Sequence, residues 1–261
     1  MLVSDANVPL WSRKESTKGI GGLDNLYVRY QNGKENDDIE SYFSVNIETP
    51  AKAAYEKACS DGKLNREEWH DLINYVFAQW VRTPRYMIQI LNFQKQVFPD
   101  LLQEELDSFG VKIKNGTITN QVSSSGDEMI PMSIERLEDD NGQTTLQVQT
   151  VVGKSSTLMS MNRLLEPQSA VQKVFYSFKW SIIDIADGVV LPTTDSPVAL
   201  VSMRDKQKLI MANGLIGKNH YVLFPLSPYK VLMGSRTRNL PWRMKADKVF
   251  SQEIKRIIIT R

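Results

Sequence analysis

Seven residues of this chain have the types and spacing to do chemistry: Glu48, the trio Gln79, Arg82 and Arg85, and the run Thr194-Asp195-Ser196. Two carboxylates from distant parts of a chain can serve as a general base and its partner, or as oxygen ligands of a magnesium ion. Arginine grips a carboxylate or phosphate through a fixed fork of donors. Arg82 and Arg85 flank Pro84, a residue that must interrupt a helix. Asp195 lies within Pro192-Thr-Thr-Asp-Ser-Pro197, where two prolines stiffen the backbone and three hydroxyls surround the carboxylate.

These parts fit two functions. One is a phosphate-ester hydrolase, nuclease-like or nucleotide-directed, with Asp195 and Glu48 as catalytic carboxylates and Gln79, Arg82, Arg85, Thr194 and Ser196 binding the substrate. The other is an interaction or regulatory module in which the same Arg/Asp cluster is a polar network fixing a kinked helix against the Asp195 turn. In that case Asp195 bonds nearby backbone amides, or orients Arg82 or Arg85. The second is the primary expectation and the hydrolase its alternative. Either way the partner is a phosphate-bearing ligand or another protein.

Other chemistries find little support. Ser196 lacks the glycines of a nucleophile elbow, and only His70 and His220 are on hand to serve a triad. Gly19, Gly21 and Gly22 are not followed by the Gly-Lys-Ser/Thr ending of a phosphate loop. Two histidines and one cysteine are too few for a zinc cluster, so no metal ligand is assigned and the cofactor is unknown. The lone Cys59 excludes an internal disulfide, which favours a reducing cytoplasm. A net charge of +2 on 261 residues points to neither nucleic acid nor an anionic membrane. No apolar window approaches a membrane span, so no membrane partner is expected. The basic C-terminal segment, with Lys245, Lys248, Lys255, Arg256 and Arg261, reads as a solvated face.

The elements that must position these residues follow from periodicity. Asp37 and Asp38 cap a helix carrying Ile39, Phe43, Ile47, Ala51 and Ala54, broken or kinked at Pro50 and closed by Ser60-Asp-Gly62. Asn65 opens a second helix with Leu72, Ile73, Val76, Phe77 and Trp80 on one stripe, interrupted at Pro84 and resumed through Val97. Asp139-Asp-Asn-Gly142 is a hairpin turn between strands at 132–138 and 144–151, within a β-rich insertion over 111–153. A helix over 155–175, kinked at Pro167, precedes strands at 178–186, 189–191, 198–201, 221–224 and 230–233, and a helix over 247–261 ends the chain. The expected class is α+β: one domain, with a kinked helical layer packed on an antiparallel sheet and the insertion within it.

Three short motifs in fixed order carry a resemblance: Gln79-x-x-Arg-Thr-Pro84, Thr194-Asp-Ser-Pro-Val198 and Phe224-Pro-Leu-Ser-Pro228, with Glu48 or Glu40 as the acidic helix position. From about Tyr27 onward the chain resembles the mostly bacterial family known as domain of unknown function 4238. Members open with a His-Tyr-Val-Pro-like segment, where this chain offers Asn7-Val-Pro-Leu10. The resemblance implies which residues cluster; it brings no activity, and the missing histidine implies a truncated, degenerate or diverged member.

Overall fold

The structure, a computed structural model, describes residues 27, 29–31, 34–97, 132–138, 144–150, 158, 161, 169–192, 194–204, 208–212, 214–215, 217 and 219–260. The glycine group at 19–22 and most of the helix expected over 155–168 lie outside them. Contacts divide the chain into two units. The first draws its described residues from Asp38–Thr83 and Leu164–Arg261, the second from Tyr27–Asp37 and Pro84–Arg163.

In the first unit, α1 (Asp38–Phe43) runs through a π-helical turn (Ser44–Glu48) into α2 (Thr49–Cys59). The expected break at Pro50 therefore takes the form of a widened turn just before it. Proline has no N–H and its ring presses on the carbonyl one turn back, and the wider turn relieves that crowding. Thr49 N–H and Thr49 Oγ1, the latter at 2.8 Å, both donate to Ser44 O. At the other end of α2, Asp61 takes the left-handed cap (φ 70°) in place of the neighbouring glycine, and Gly62 N–H donates to Lys57 O at 2.8 Å. Gly62 is needed for another reason: a Cβ there would meet Lys57 Cγ at 2.4 Å.

Helix α3 (Arg66–Val81) opens with a reciprocal cap, Asn65 accepting from Glu68 N–H and Glu68 accepting from Asn65 N–H. Its stripe of Leu72, Ile73, Val76 and Phe77 is buried, as the spacing predicts. It ends at Val81, and residues 84–97 form α4 in the second unit after Pro84. That unit also holds two antiparallel pairs, β1 (Arg29–Gln31) with β2 (Lys34–Asn36) and β3 (Met132–Glu138) with β4 (Thr144–Thr150). The second pair is the hairpin read from the Asp139–Gly142 turn.

Helix α5 (Ala170–Tyr176) leads into the main sheet: β5 (Lys179–Asp184), β6 (Ala199–Arg204), β7 (Lys208–Met211), β8 (His220–Ser227), β9 (Lys230–Ser235) and β10 (Arg243–Lys245). Its order is β10-β5-β9-β8-β6-β7. The class is α+β, with one departure: β10 lies parallel to β5, so the sheet is mixed. Residues 189–191 are not a strand, because β5 already has β9 and β10 as neighbours. Strand β8 runs through Pro225 to Ser227, and the turn shortens to Pro228-Tyr229, the extra length being absorbed by a bulge between Pro225 and Ser227.

The sheet is covered on both faces. Ile183, Val231, Met233, Leu223 and Val201 form one core with Phe250, Ile254, Ile257 and Ile258 of α6 (Lys248–Ile259), whose N-cap is Asp247. On the other face, Trp180 and Phe178 stack with Phe175, which meets Phe77 and Trp80 of α3. Trp180 lies across Gly234 of the paired strand, where an added Cβ would meet Trp180 Cζ3 at 2.9 Å and Phe178 Cδ2 at 3.0 Å. Neither ring can retreat without unstacking the cluster. Gly234→Ala is therefore expected to destabilise the protein by about 1–3 kcal/mol, read as a lower midpoint in thermal unfolding, and an unchanged midpoint would show that the rings have room.

Candidate functional site

The widened turn before Pro50 carries Glu48 to the end of α3, where its Oε1 accepts from Arg82 Nη1. The Arg82 guanidinium also stands over the Phe43 ring, 5.2 Å from its centroid. Tyr75, two turns before Arg82 on α3, feels both charges: burial pushes its phenol up, Glu48 adds to the rise and Arg82 opposes it. Its ring meets Tyr55 of α2 and Phe224 of β8 edge-on, at 6.0 and 5.9 Å between centroids.

The bulge in β8 supplies the next contact. An extra residue on one strand leaves a backbone carbonyl outside the ladder, and Tyr55 OH and Cys59 Sγ both donate to Leu226 O. Burial pushes Tyr55 to about 12 and raises the Cys59 thiol, with Lys230 pulling the latter down only in part. A thiol shifted upward is a poor nucleophile at neutral pH.

Beyond Cys59 lies a four-membered ionic network. Arg243 of β10 grips Asp184 of β5 with Nε at 2.7 Å and Nη2 at 2.6 Å, and Nη2 also reaches Asp61. Lys230 of β9 completes it, 2.9 Å from Asp61 and 3.4 Å from Asp184. Lys230, then Arg243, hold Asp61 below the usual carboxylate range, and the Asp184 hydrogen bond raises Arg243. The left-handed backbone at Asp61 is what aims the α2–α3 connection at two strands.

The structure distributes the residues singled out in the sequence. Glu48 and Arg82 meet. Gln79 is half-buried on α3, three residues before Arg82. Arg85 is exposed at the start of α4, in the other unit. Asp195 is exposed, and the turn around it is made by Thr194, whose Oγ1 donates to Asp195 Oδ1 at 3.3 Å and accepts from Ser196 N–H at 3.1 Å. Ser196 is buried. The carboxylate that Arg82 meets is thus Glu48 and not Asp195. The two proline-rich stretches do touch, through Leu191 N–H donating to Pro228 O at 2.9 Å.

Sequence reasoning missed Asp61, Asp184, Lys230, Arg243, Tyr55 and Tyr75. One signal was available: Asp184 follows Trp180-Ser-Ile-Ile183, and a carboxylate in so apolar a strand demands a partner. Among the described residues, no group of three or more His, Cys, Asp or Glu is placed to hold a metal ion. No helix among them is long and apolar enough to cross a membrane.

Fold and site together define an α+β protein whose helices are tied to one another by the Glu48–Arg82 pair and to the sheet by the Asp61 ion pairs and the Tyr55 hydroxyl. The chain belongs to the family described as "Protein of unknown function (DUF4238)", whose model matches residues 5–259. The match begins before Tyr27 and takes in Asn7-Val-Pro-Leu10. No curated protein and no solved structure matches the chain.

Because the folded-state pKa of Tyr55 lies above its unfolded value of 10.0, its contribution to stability is fully present below pH 10 and is lost as pH rises toward 12. Tyr55→Phe is expected to lose about 1 kcal/mol at neutral pH and to flatten part of that alkaline decline, measured by urea unfolding at pH 7, 10 and 11. Asp184→Asn leaves Arg243 and Lys230 to share the exposed Asp61, and a loss of about 2 kcal/mol in the same assay is expected. An Asp184→Asn protein as stable as the wild type would show that the network contributes nothing to the fold.

Proposed function

We propose that this protein is a non-catalytic interaction or regulatory module, in which the Glu48–Arg82 pair and its neighbours serve as a clamp that fixes the kinked helices. The observation that carries this reading is the engagement of Arg82. Its guanidinium is held by Glu48 and stacked on Phe43, so the group best suited to gripping a phosphate already serves an internal carboxylate. Asp195 supports it too, since among the described residues its carboxylate accepts from the Thr194 hydroxyl of its own turn. The single Cys59 fits a cytoplasmic setting.

Hydrolysis is tested directly. Wild type, Asp195→Ala and Glu48→Gln are incubated with RNA, DNA and nucleoside triphosphates, with and without magnesium. No turnover is expected from any of the three, while Glu48→Gln lowers the melting temperature. Turnover by the wild type that either substitution abolishes would replace the module reading with a phosphate-ester hydrolase using those two carboxylates.

A further inference from the structure

The two ends of the main sheet differ in how their cations are satisfied. At the end that carries Asp184, Lys230, Arg243 and Lys245 all have carboxylate partners. The strand registers place a different set at the opposite end. Lys179 begins β5 opposite Ser235, Arg236 and Arg238 follow β9, His220 begins β8, and Arg204 ends β6 directly opposite Lys208 of β7. Lys179, Arg204, Lys208, Arg236 and Arg238 are all exposed. Among the described residues none of the five has a carboxylate partner.

The whole protein carries a net charge of only +2, so this edge is a matter of how its charges are sorted. Like charges directly opposite on paired strands, as at Arg204 and Lys208, destabilise a sheet unless an anion lies between them. The intervening Asp205-Lys206-Gln207 adds no net charge. Five adjacent strand ends span about 20 Å, so the cations form a line and not a compact pocket. Arg238 rests over the Tyr221 ring, 6.0 Å from its centroid, which holds one guanidinium in place. Trp242, 42% exposed, follows the same loop and is anchored through its carbonyl to Ile182 N–H at 2.9 Å.

We propose that this cationic sheet end binds single-stranded nucleic acid, the arginines and lysines tracking phosphates and Trp242 stacking on a base. A linear polyanion matches a line of cations, guanidinium forks match phosphate oxygens, and an exposed indole can stack only on an unpaired base. An acidic protein segment would leave Trp242 without a role. An anionic membrane presents a plane of charge, not a line, and gives the Trp242 ring no stacking partner. The proposal rests on the reading of the chain as a binding module and names its partner.

The test is fluorescence anisotropy of labelled 20-nucleotide oligo-dT and oligo-U with the full chain, at rising salt, with polyglutamate and phosphatidylserine vesicles as competitors. With four or five phosphates neutralised, the log–log slope of affinity against salt is expected near −3, on the order of −0.7 for each phosphate. The double variant Arg236→Ala/Arg238→Ala should bind roughly 25-fold more weakly at 0.1 M salt and lose about 1.4 from that slope. Trp242→Ala should weaken binding by about tenfold with the slope unchanged. Lys245→Ala, at the neutralised end, should bind as the wild type does. All variants are checked by thermal melts, since each replaced side chain is wholly or partly exposed. Absence of binding, binding unaltered in the double variant, or equally effective competition by polyglutamate or vesicles would overturn the proposal. Binding without cleavage supports it together with the module reading. Binding with cleavage leaves the surface standing and removes the non-catalytic reading, whereas no binding removes the surface and leaves that reading in place.

Discussion

A carboxylate at the end of a strand buried on both faces is the constraint from which much of this structure follows. The middle of β5 is covered by α6 on one side and by the aromatic cluster of α3 and α5 on the other, and Asp184 at its end is left half-buried. Arg243 meets it with two parallel hydrogen bonds, and the segment carrying that arginine runs beside β5 as a short parallel strand. Lys230 arrives on the other neighbour, and Asp61 balances the second positive charge. One buried-edge acid thereby fixes an edge strand, a hairpin and the connection between two helices.

The rest of the seam extends the same logic to neutral groups. A bulge in β8 leaves the Leu226 carbonyl outside the ladder, and α2 supplies a phenol and a thiol to meet it. A proline in α2 widens the preceding turn, and the displaced backbone presents Glu48 to Arg82. Each of these irregularities of the backbone coincides with a polar contact between elements, because it is there that groups leave their regular partners and become available to distant ones. The contacts to Leu226 join the helical layer to the sheet, and the Glu48–Arg82 pair joins the helices to one another.

Electrostatically the sheet has a neutralised end and an unneutralised one. Charges at the first serve the fold, since each cation is matched by an acid from another element. Those at the second have no such internal duty among the described residues, and they lie along a line with an aromatic side chain nearby. A protein with almost no net charge can present such an edge because net charge says nothing about how the two signs are sorted in space.

Local rules made much of the fold legible in the sequence. The 3.6-residue stripe of Leu72 to Trp80, the helix start at Asn65, the Pro84 boundary and the pairing of the strands on either side of 139–142 all depend on neighbours within a few residues, and they stand in the structure as read. The family was legible as well, from three short motifs in order. What the sequence left open was which distant groups meet. Arg82 faces Glu48, 34 residues earlier, because a π-helical turn shifts the register of α2, and nothing local distinguishes that outcome from a pairing with Asp195. Asp61 reads as a helix stop and Asp184 as a strand residue until the sheet order brings Arg243 between them. The cations of the unneutralised end are scattered over 60 positions, from Lys179 to Arg238, and only the antiparallel registers gather them on one edge. Spacing along the chain therefore determined the elements, and strand register with helix docking decided the partners, since pair energies depend on distance in space and not on separation in sequence.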